Sequence, residues 1–438
     1  MRSRKQESGI VLVITLWIIV VLSAASLAYV KQVNMEIKMA GFQRDVAVVE
    51  EIAKAGLRQA IILLREDKIK DSGEDVQMTI TNFGDDDNFR YDGGTEAWAE
   101  GRADRSNENL YVDVPFYESG ERVGYYYVSV EDEASKFPIN NMQTSLDQIA
   151  HLLELTGVDE DEAKQLAAAI VDWRDIDTVV TESGKQKMGS DGGDEYSYYN
   201  SGTSRQPRGR GRERMDEGFP EVMIKNGPLD GIDELLLIPG MTPAIVYGTV
   251  DPDDEPSRGR MGRRRLRKGE YLGLENFVTV YANQANLNTV KTEALEAILY
   301  PYAGENAEKI AEEWTDYRDG RDRETYTDDD EVLKTLNNED MDDVHYTKAD
   351  GFTEELFKQA ETFLTNFSDT FEIYCLAEYQ GIEKGYRAVV GRQYTSWENL
   401  PIFGIDTMKL EDLEQSRVYV RIFEPVFDAK EQIARVNS

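Results

Sequence analysis

The sequence predicts an α+β protein: a long N-terminal helix, then one antiparallel sheet divided by a large helical insertion of repeated hairpins. Three observations carry this reading. Residues 10–30 form an uncharged apolar run whose helical spacing continues well beyond it. Stretches alternating aromatic and β-branched residues with polar ones occur near 110–130 and again near 371–390, with helical patterns between them. Within that interval one helical hairpin is written twice.

The bulk numbers set bounds. At 438 residues the chain exceeds one ordinary core, so two or three domains are expected. Its 49 basic and 84 acidic residues give a net charge of −35. A generic phosphate-binding surface needs clustered Lys and Arg, so nucleic acid is not an expected partner. With 40% hydrophobic residues the chain can pack a core, which makes the acidity a solvated surface rather than disorder. One cysteine, Cys375, excludes an intramolecular disulfide.

The run IVLVITLWIIVVLSAASLAYV, residues 10–30, is long enough at ~1.5 Å per residue to cross a ~30 Å hydrocarbon layer. Arg2, Arg4 and Lys5 precede it with one Glu7, which keeps the N-terminus cytoplasmic and exports the rest. A cleaved secretory signal is the competing reading, with Ser26-Leu27-Ala28 as its cleavage site. Against it, Val33, Ile37, Ala40, Val48, Ile52, Ala55, Leu57, Ala60, Ile61 and Leu64 keep three-four spacing, with no proline before Pro115. Such a continuation is an amphipathic stalk, which a signal peptide does not need.

Leu110 to Val114 and Gly124 to Val130 read as strands, and so do Phe371 to Glu378 and Tyr386 to Val390, joined by a turn from Gly381 to Gly385. Between them, Pro138-Ile139-Asn140-Asn141 aligns with Asn286-Leu287-Asn288-Thr289. Further on, Asp172-Trp173-Arg174-Asp175 aligns with Asp316-Tyr317-Arg318-Asp319. Each unit opens on a capping Asn or Thr and closes an amphipathic helix with acid, aromatic, Arg, acid. Related hairpins that cannot each bury a face alone are expected to stack into one inserted domain. Gly231 to Pro243 resembles a helix-hairpin-helix, a motif that often binds DNA through backbone amides at a glycine turn. Without basic flanks, and in an exported segment, packing is its expected role. Residues 205–214 and 258–268 concentrate arginine and are read either as docking on an acidic surface or as inserts pairing with the chain's own carboxylates. Thr327 to Glu331 is expected to be a solvated acidic loop.

No catalytic pattern is present, so the chain is not expected to be an enzyme. The two histidines, His151 and His345, lack metal-ligand spacing, and no G-x-S-x-G, P-loop or H-E-x-x-H occurs. Cys375 lies in a strand pattern and is expected to be buried rather than nucleophilic. The acids Asp172, Asp175 and Asp177, followed by Asp191, Asp194 and Glu195 just before Tyr196, Tyr198 and Tyr199, are the candidate metal ligands. Calcium takes six to eight hard oxygens, which such a turn can gather. On the residues alone, surface acids that bind nothing specific remain the other reading.

The basic leader ending Ser8-Gly9, followed by Ile10-Val11-Leu12-Val13-Ile14, resembles the class III signal of type IV pilins and type II secretion pseudopilins. The resemblance implies cleavage after Gly9 by a prepilin peptidase and methylation of Ile10. Most pilins carry a glutamate where this chain has Ile14. A carboxylate in hydrocarbon is costly unless paired, and in pilins its partner is thought to be the N-terminal amine of the subunit above. A subunit with nothing above it can dispense with that glutamate, and this absence resembles the K-class minor pseudopilins.

That resemblance implies a leader at 1–9, a transmembrane helix at 10–30 and a stalk at 31–66. It further implies halves of a pilin-like sheet at 67–135 and 366–395, an inserted α domain at 136–365 and a C-terminal segment at 396–438. It implies a single-pass inner-membrane protein, mostly periplasmic, that joins I- and J-class minor pseudopilins at the tip of the type II secretion pseudopilus. It also implies calcium near the D-W-x-D motif, where Gly193 to Tyr199 loosely match the family's acid-and-tyrosine stretch. Arg321 stands in the second hairpin where the first has Asp177, so one main site is expected, at the first hairpin. The alternative is an exported or anchored binding protein whose hairpins hold a peptide or polysaccharide.

Overall fold

The computed structural model describes residues 4–71, 91–96, 98–99, 111–115, 122–181, 195–200, 223–250, 266–321, 323, 329–334, 336, 344–392 and 418–426. Helix α1, Arg4–Asp71, is continuous through the apolar run and the amphipathic stretch, as a segment free of proline allows. Its part from Val11 to Arg65 is apolar enough to cross a membrane, with a mean hydropathy of 2.7 in its best window. The apolar side chains between Val11 and Leu22 are exposed.

Farther along, α1 turns Val49, Ile52, Ala53, Leu57, Ala60 and Leu64 inward at three-four spacing. They pack on a sheet. Its first strands are β1, Tyr111–Pro115, and β2, Arg122–Asp132. After β2 the chain leaves for the helical insertion. That begins with β3, Phe137–Pro138, and the hairpin α2, Leu146–Leu155, and α3, Glu160–Arg174. Then come two short helices, α4, Glu195–Asn200, and α5, Pro243–Tyr247, and the two-residue strands β4, Val278–Thr279, and β5, Ala285–Asn286. The second hairpin is α6, Thr292–Ala303, and α7, Asn306–Arg318, followed by α8, Glu354–Ala360, and β6, Leu364–Thr365. The chain re-enters the sheet as β7, Thr370–Tyr379, β8, Ile382–Arg392, and β9, Val418–Val426.

The sheet order is β1-β2-β7-β8-β9, antiparallel throughout, with Val128 opposite Cys375 and Cys375 opposite Tyr386. The period of two sends Val128 and Val130, Ile373, Cys375 and Ala377, and Ala388 and Val390 to the face covered by α1. The helix comes so close that a Cβ on Gly56 would stand 2.7 Å from Cys375 Sγ. Cys375 is buried and free, and burial pushes its thiol up to about 12. The α+β class expected from the sequence is therefore the observed one. The sheet's second half is larger than expected, because β9 adds a strand within the segment set apart as C-terminal. Pro425 weakens the strand signal there, and a proline is tolerated because β9 lies at the edge.

The insertion has its own core, with Leu152, Leu153, Leu166, Ile170, Leu295, Ile298 and Trp314 among its members. The two hairpins are held by the same device. Asn140 accepts from the Leu229 amide and donates to the Leu229 and Val280 carbonyls. Asn288 accepts from the Leu333 amide and donates to the Leu333 and Asn366 carbonyls. Arg174 and Arg318 likewise turn back onto their own hairpin's opening, donating to the carbonyls of Ile139 and Leu287 respectively. The Gly231 to Pro243 stretch is not a pair of full helices: Ile232–Leu237 is a 3₁₀ turn and α5 has five residues, since Pro239-Gly240 breaks the run between them. Of the arginine-rich stretches only Leu266 to Lys268 lie within the described residues.

Candidate metal centre

Helix α3 ends at Arg174, and its last turn sets Asp172 pointing inward while the chain leaves in extended conformation at Asp175. Asp172 is fully buried. The Thr181 amide donates to its Oδ1 and the Tyr199 hydroxyl to its Oδ2, each at 2.7 Å. Helix α4 is docked opposite by the Glu195 amide, which donates to the Thr178 carbonyl at 3.3 Å. Asp172, Asp175 and Glu195 can thus each offer a carboxylate oxygen, all within 4.8 Å of one another.

The electrostatics follow from that convergence. Burial, with Asp177 and Asp172 nearby, pushes Asp175 up to about 6. Burial and the charges of Asp172, Asp175 and Asp177 push Glu195 up to about 7. Burial also raises Asp172, although its bonds from Thr181 and Tyr199 oppose the shift. Asp175 Oδ1 and Glu195 Oε1 are buried with no hydrogen-bond partner among the described residues. Three crowded carboxylates, two of them with an unsatisfied oxygen, suit a hard divalent cation, so the residues fit calcium.

Three of the six expected ligands are therefore brought together. Asp177 is exposed at Oδ1 range of its own turn, accepting from the Val179 amide at 2.7 Å. Asp191 and Asp194 lie outside the described residues. The second hairpin differs in the way its sequence suggested. Asp319 receives Arg318 Nε at 2.7 Å and Asp316 pairs with Arg323 at 3.3 Å, so guanidinium groups already neutralise the acids aligned with Asp175 and Asp172. Arg321 donates its amide to Asp329 Oδ2. Another knot of acids, Asp67, Asp92 and Glu96, encloses the Arg392 guanidinium, which bonds both aspartates. Asn226, which reaches the first site from a distant loop, was missed by the sequence reading, although Asn226-Gly227-Pro228 is a turn signature.

Residues 130–248, from the end of β2 to the residue after α5, match the family model for protein K of the type II secretion system (T2SS). Over that segment the chain is similar to the type II secretion protein K family. The matched segment contains the first hairpin and all three converging acids. One chain of the solved GspK-GspI-GspJ complex from the enterotoxigenic Escherichia coli type 2 secretion system aligns at 15% identity and a TM-score of 0.48. That alignment covers 88% of this chain and 98% of the other. No curated protein matches the chain.

Proposed function

We propose that the chain is a minor pseudopilin that helps form the tip complex which initiates or caps the periplasmic pseudopilus. The observation that carries this is the protein K match over 130–248, located where the insertion departs from a sheet packed on a long apolar helix. In this reading α1 anchors the chain in the inner membrane and the remainder is periplasmic. Between the apolar run and the sheet, Met35, Ile37, Met39 and Phe42 are exposed on α1 and offer an apolar surface for the helices of I- and J-class partners. The mechanism is assembly rather than reaction. The inserted domain obstructs a subunit above, and Ile14 in place of a glutamate removes the contact that would recruit one. Growth from below then moves exported protein outward.

Processing provides the test. Mass spectrometry of the membrane-extracted protein should find an N-terminal peptide beginning at methylated Ile10, and the protein should co-purify with the I- and J-class subunits. A mature start at Tyr29 would replace this reading with an ordinary cleaved signal.

Calcium is part of the same proposal. Asp172, Asp175 and Glu195 would hold the ion, whose chemistry here is to cross-link the end of α3 to α4. At a free concentration ~100 times its Kd the ion adds about 2.7 kcal/mol of stability. Calcium should therefore raise the Tm of the wild type over its value in chelator. Glu195→Gln should abolish most of that increment and leave the chelator Tm unchanged or higher, since a buried carboxylate without its cation is removed. An equal calcium increment in the variant would eliminate Glu195 as a ligand.

A further inference from the structure

We propose that Tyr199 is a positioning residue for the cation at the first hairpin: its hydroxyl fixes the Asp172 carboxylate, so that this acid meets the ion already oriented. The proposal rests on the calcium reading above. It starts from a difference among the three acids. Asp175 Oδ1 and Glu195 Oε1 are buried with no hydrogen-bond partner among the described residues, whereas both oxygens of the fully buried Asp172 are held. The Thr181 amide donates to Oδ1 and the Tyr199 hydroxyl to Oδ2, each at 2.7 Å. A carboxylate oxygen can accept more than one partner, so a bond from a neutral donor leaves room for a cation.

Tyr199 is held in place by more than that bond. Its ring packs against the core of the insertion and meets Tyr198 edge to face, with the ring centroids 4.9 Å apart. It also stands four residues after Glu195 on α4, a spacing that puts the two side chains on one face of the helix. The Glu195 amide ties the start of that helix to the Thr178 carbonyl. Helix α4 therefore brings a ligand of its own and, one turn later, the donor that aims a ligand of α3.

The choice of a phenol has a physical reason. At the second hairpin Asp316, which aligns with Asp172, pairs with Arg323 at 3.3 Å, and a guanidinium there cancels the charge that a metal ion would need. A phenol donates one short bond without adding charge, so Asp172 is oriented while its negative charge stays available. Orientation matters because a carboxylate that is free to rotate must lose that freedom when the ion binds.

Calcium titration of the full-length protein in detergent tests this, by calorimetry at a temperature where wild type and variants are all folded. Tyr199→Phe keeps the ring in the core and removes only the hydroxyl. Its calcium Kd should be weaker by about tenfold, the lower end of the usual loss for a group that orients a metal ligand. Tyr198→Phe removes a hydroxyl from the same helix and should bind calcium as the wild type does. A Tyr199→Phe titration that superimposes on wild type would overturn the proposal. An equal weakening in both variants would overturn it too, since the effect would then belong to the seating of α4. Thermal unfolding gives a second readout: Tyr199→Phe should lose more Tm in calcium than in chelator, and an equal loss in both would mark a purely structural hydroxyl and overturn the proposal. A wild type with no calcium response would remove the calcium reading itself, and this inference with it, an outcome distinct from an altered response confined to Tyr199→Phe.

Discussion

Arg392→Met is expected to cost the full-length protein about 3–5 kcal/mol of unfolding free energy, the range for leaving a buried charge without its partner. Arg392 is the last residue of β8 and is fully buried. Its Nη1 is 2.7 Å from Asp67 Oδ2 on α1, its Nη2 bonds Asp92, and its Nε donates to the Ser368 carbonyl at 3.1 Å. The guanidinium also stacks 4.8 Å from the Phe371 ring centroid. One side chain thus joins the N-terminal helix, the loop that contains Trp98 and the point where the insertion returns to the sheet. Methionine fills much of the volume but leaves Asp67 and Asp92 buried without their cation. Arg392→Lys should fall between, since an ammonium retains the charge but lacks the planar fork that serves two carboxylates and a carbonyl together. Urea unfolding in detergent, followed by far-ultraviolet circular dichroism, measures both. A loss under about 1 kcal/mol for the methionine variant would show that the aspartates find other partners.

The contrast between Arg392 and the first hairpin shows what one sequence can reveal. Helix α1 and strands β2, β7 and β8 were legible because their periods of 3.6 and 2 are local properties of the chain. The aligned Asp172 and Asp316 motifs were legible for the same reason, as a repeat. The pairing of Arg392 with Asp92 spans 300 positions and has no local signature, so nothing marked either residue. Asp177 illustrates a different ambiguity. A short acidic side chain in a turn can ligate a metal or bond its own backbone, and the Val179 amide decides for the latter at Oδ1. Asn226 did carry a local turn signal, but its partner, the Asp177 carbonyl, becomes visible only after another segment has folded against it.

Lys136→Met carries the other large expectation, and its size should depend on pH. Lys136 Nζ lies 3.0 Å from Glu133, 3.1 Å from Glu372 and 3.8 Å from Glu131, all of them buried where the insertion leaves the sheet. Lys291 at the start of α6 adds a second cation beside Glu131, and Arg387 on β8 a third beside Glu372. Burial disfavours the ammonium, but the three carboxylates outweigh it and hold Lys136 in its charged form. Glu133 is pushed up to about 7, by burial first and by repulsion from Glu372 and Glu131, with Lys136 and Thr279 opposing. Burial would raise Glu372 too, but Lys136 and Arg387 hold it below the ordinary carboxylate range.

The signs follow from linkage. Because the folded value for Glu133 lies above its ordinary 4.5, its contribution to stability is complete below that value and is lost as pH rises through about 7. The depressed Glu372 behaves oppositely: its contribution is present above the ordinary carboxylate range and disappears only as pH falls through its folded value. Between about pH 5 and 8 the network's own pH dependence therefore comes from Glu133, and stability should decline across that window by on the order of 2 kcal/mol. Glu133→Gln should flatten the decline. In Lys136→Met the carboxylates lose the cation they share; Glu131 keeps Lys291 and Glu372 keeps Arg387, and protonation becomes the remaining route to neutrality for Glu133. The loss should be about 3–5 kcal/mol near pH 8 and clearly smaller near pH 5. Urea unfolding of the three proteins at both pH values decides the matter, and a Lys136→Met penalty equal at both would show that the carboxylates are not competing for that ammonium.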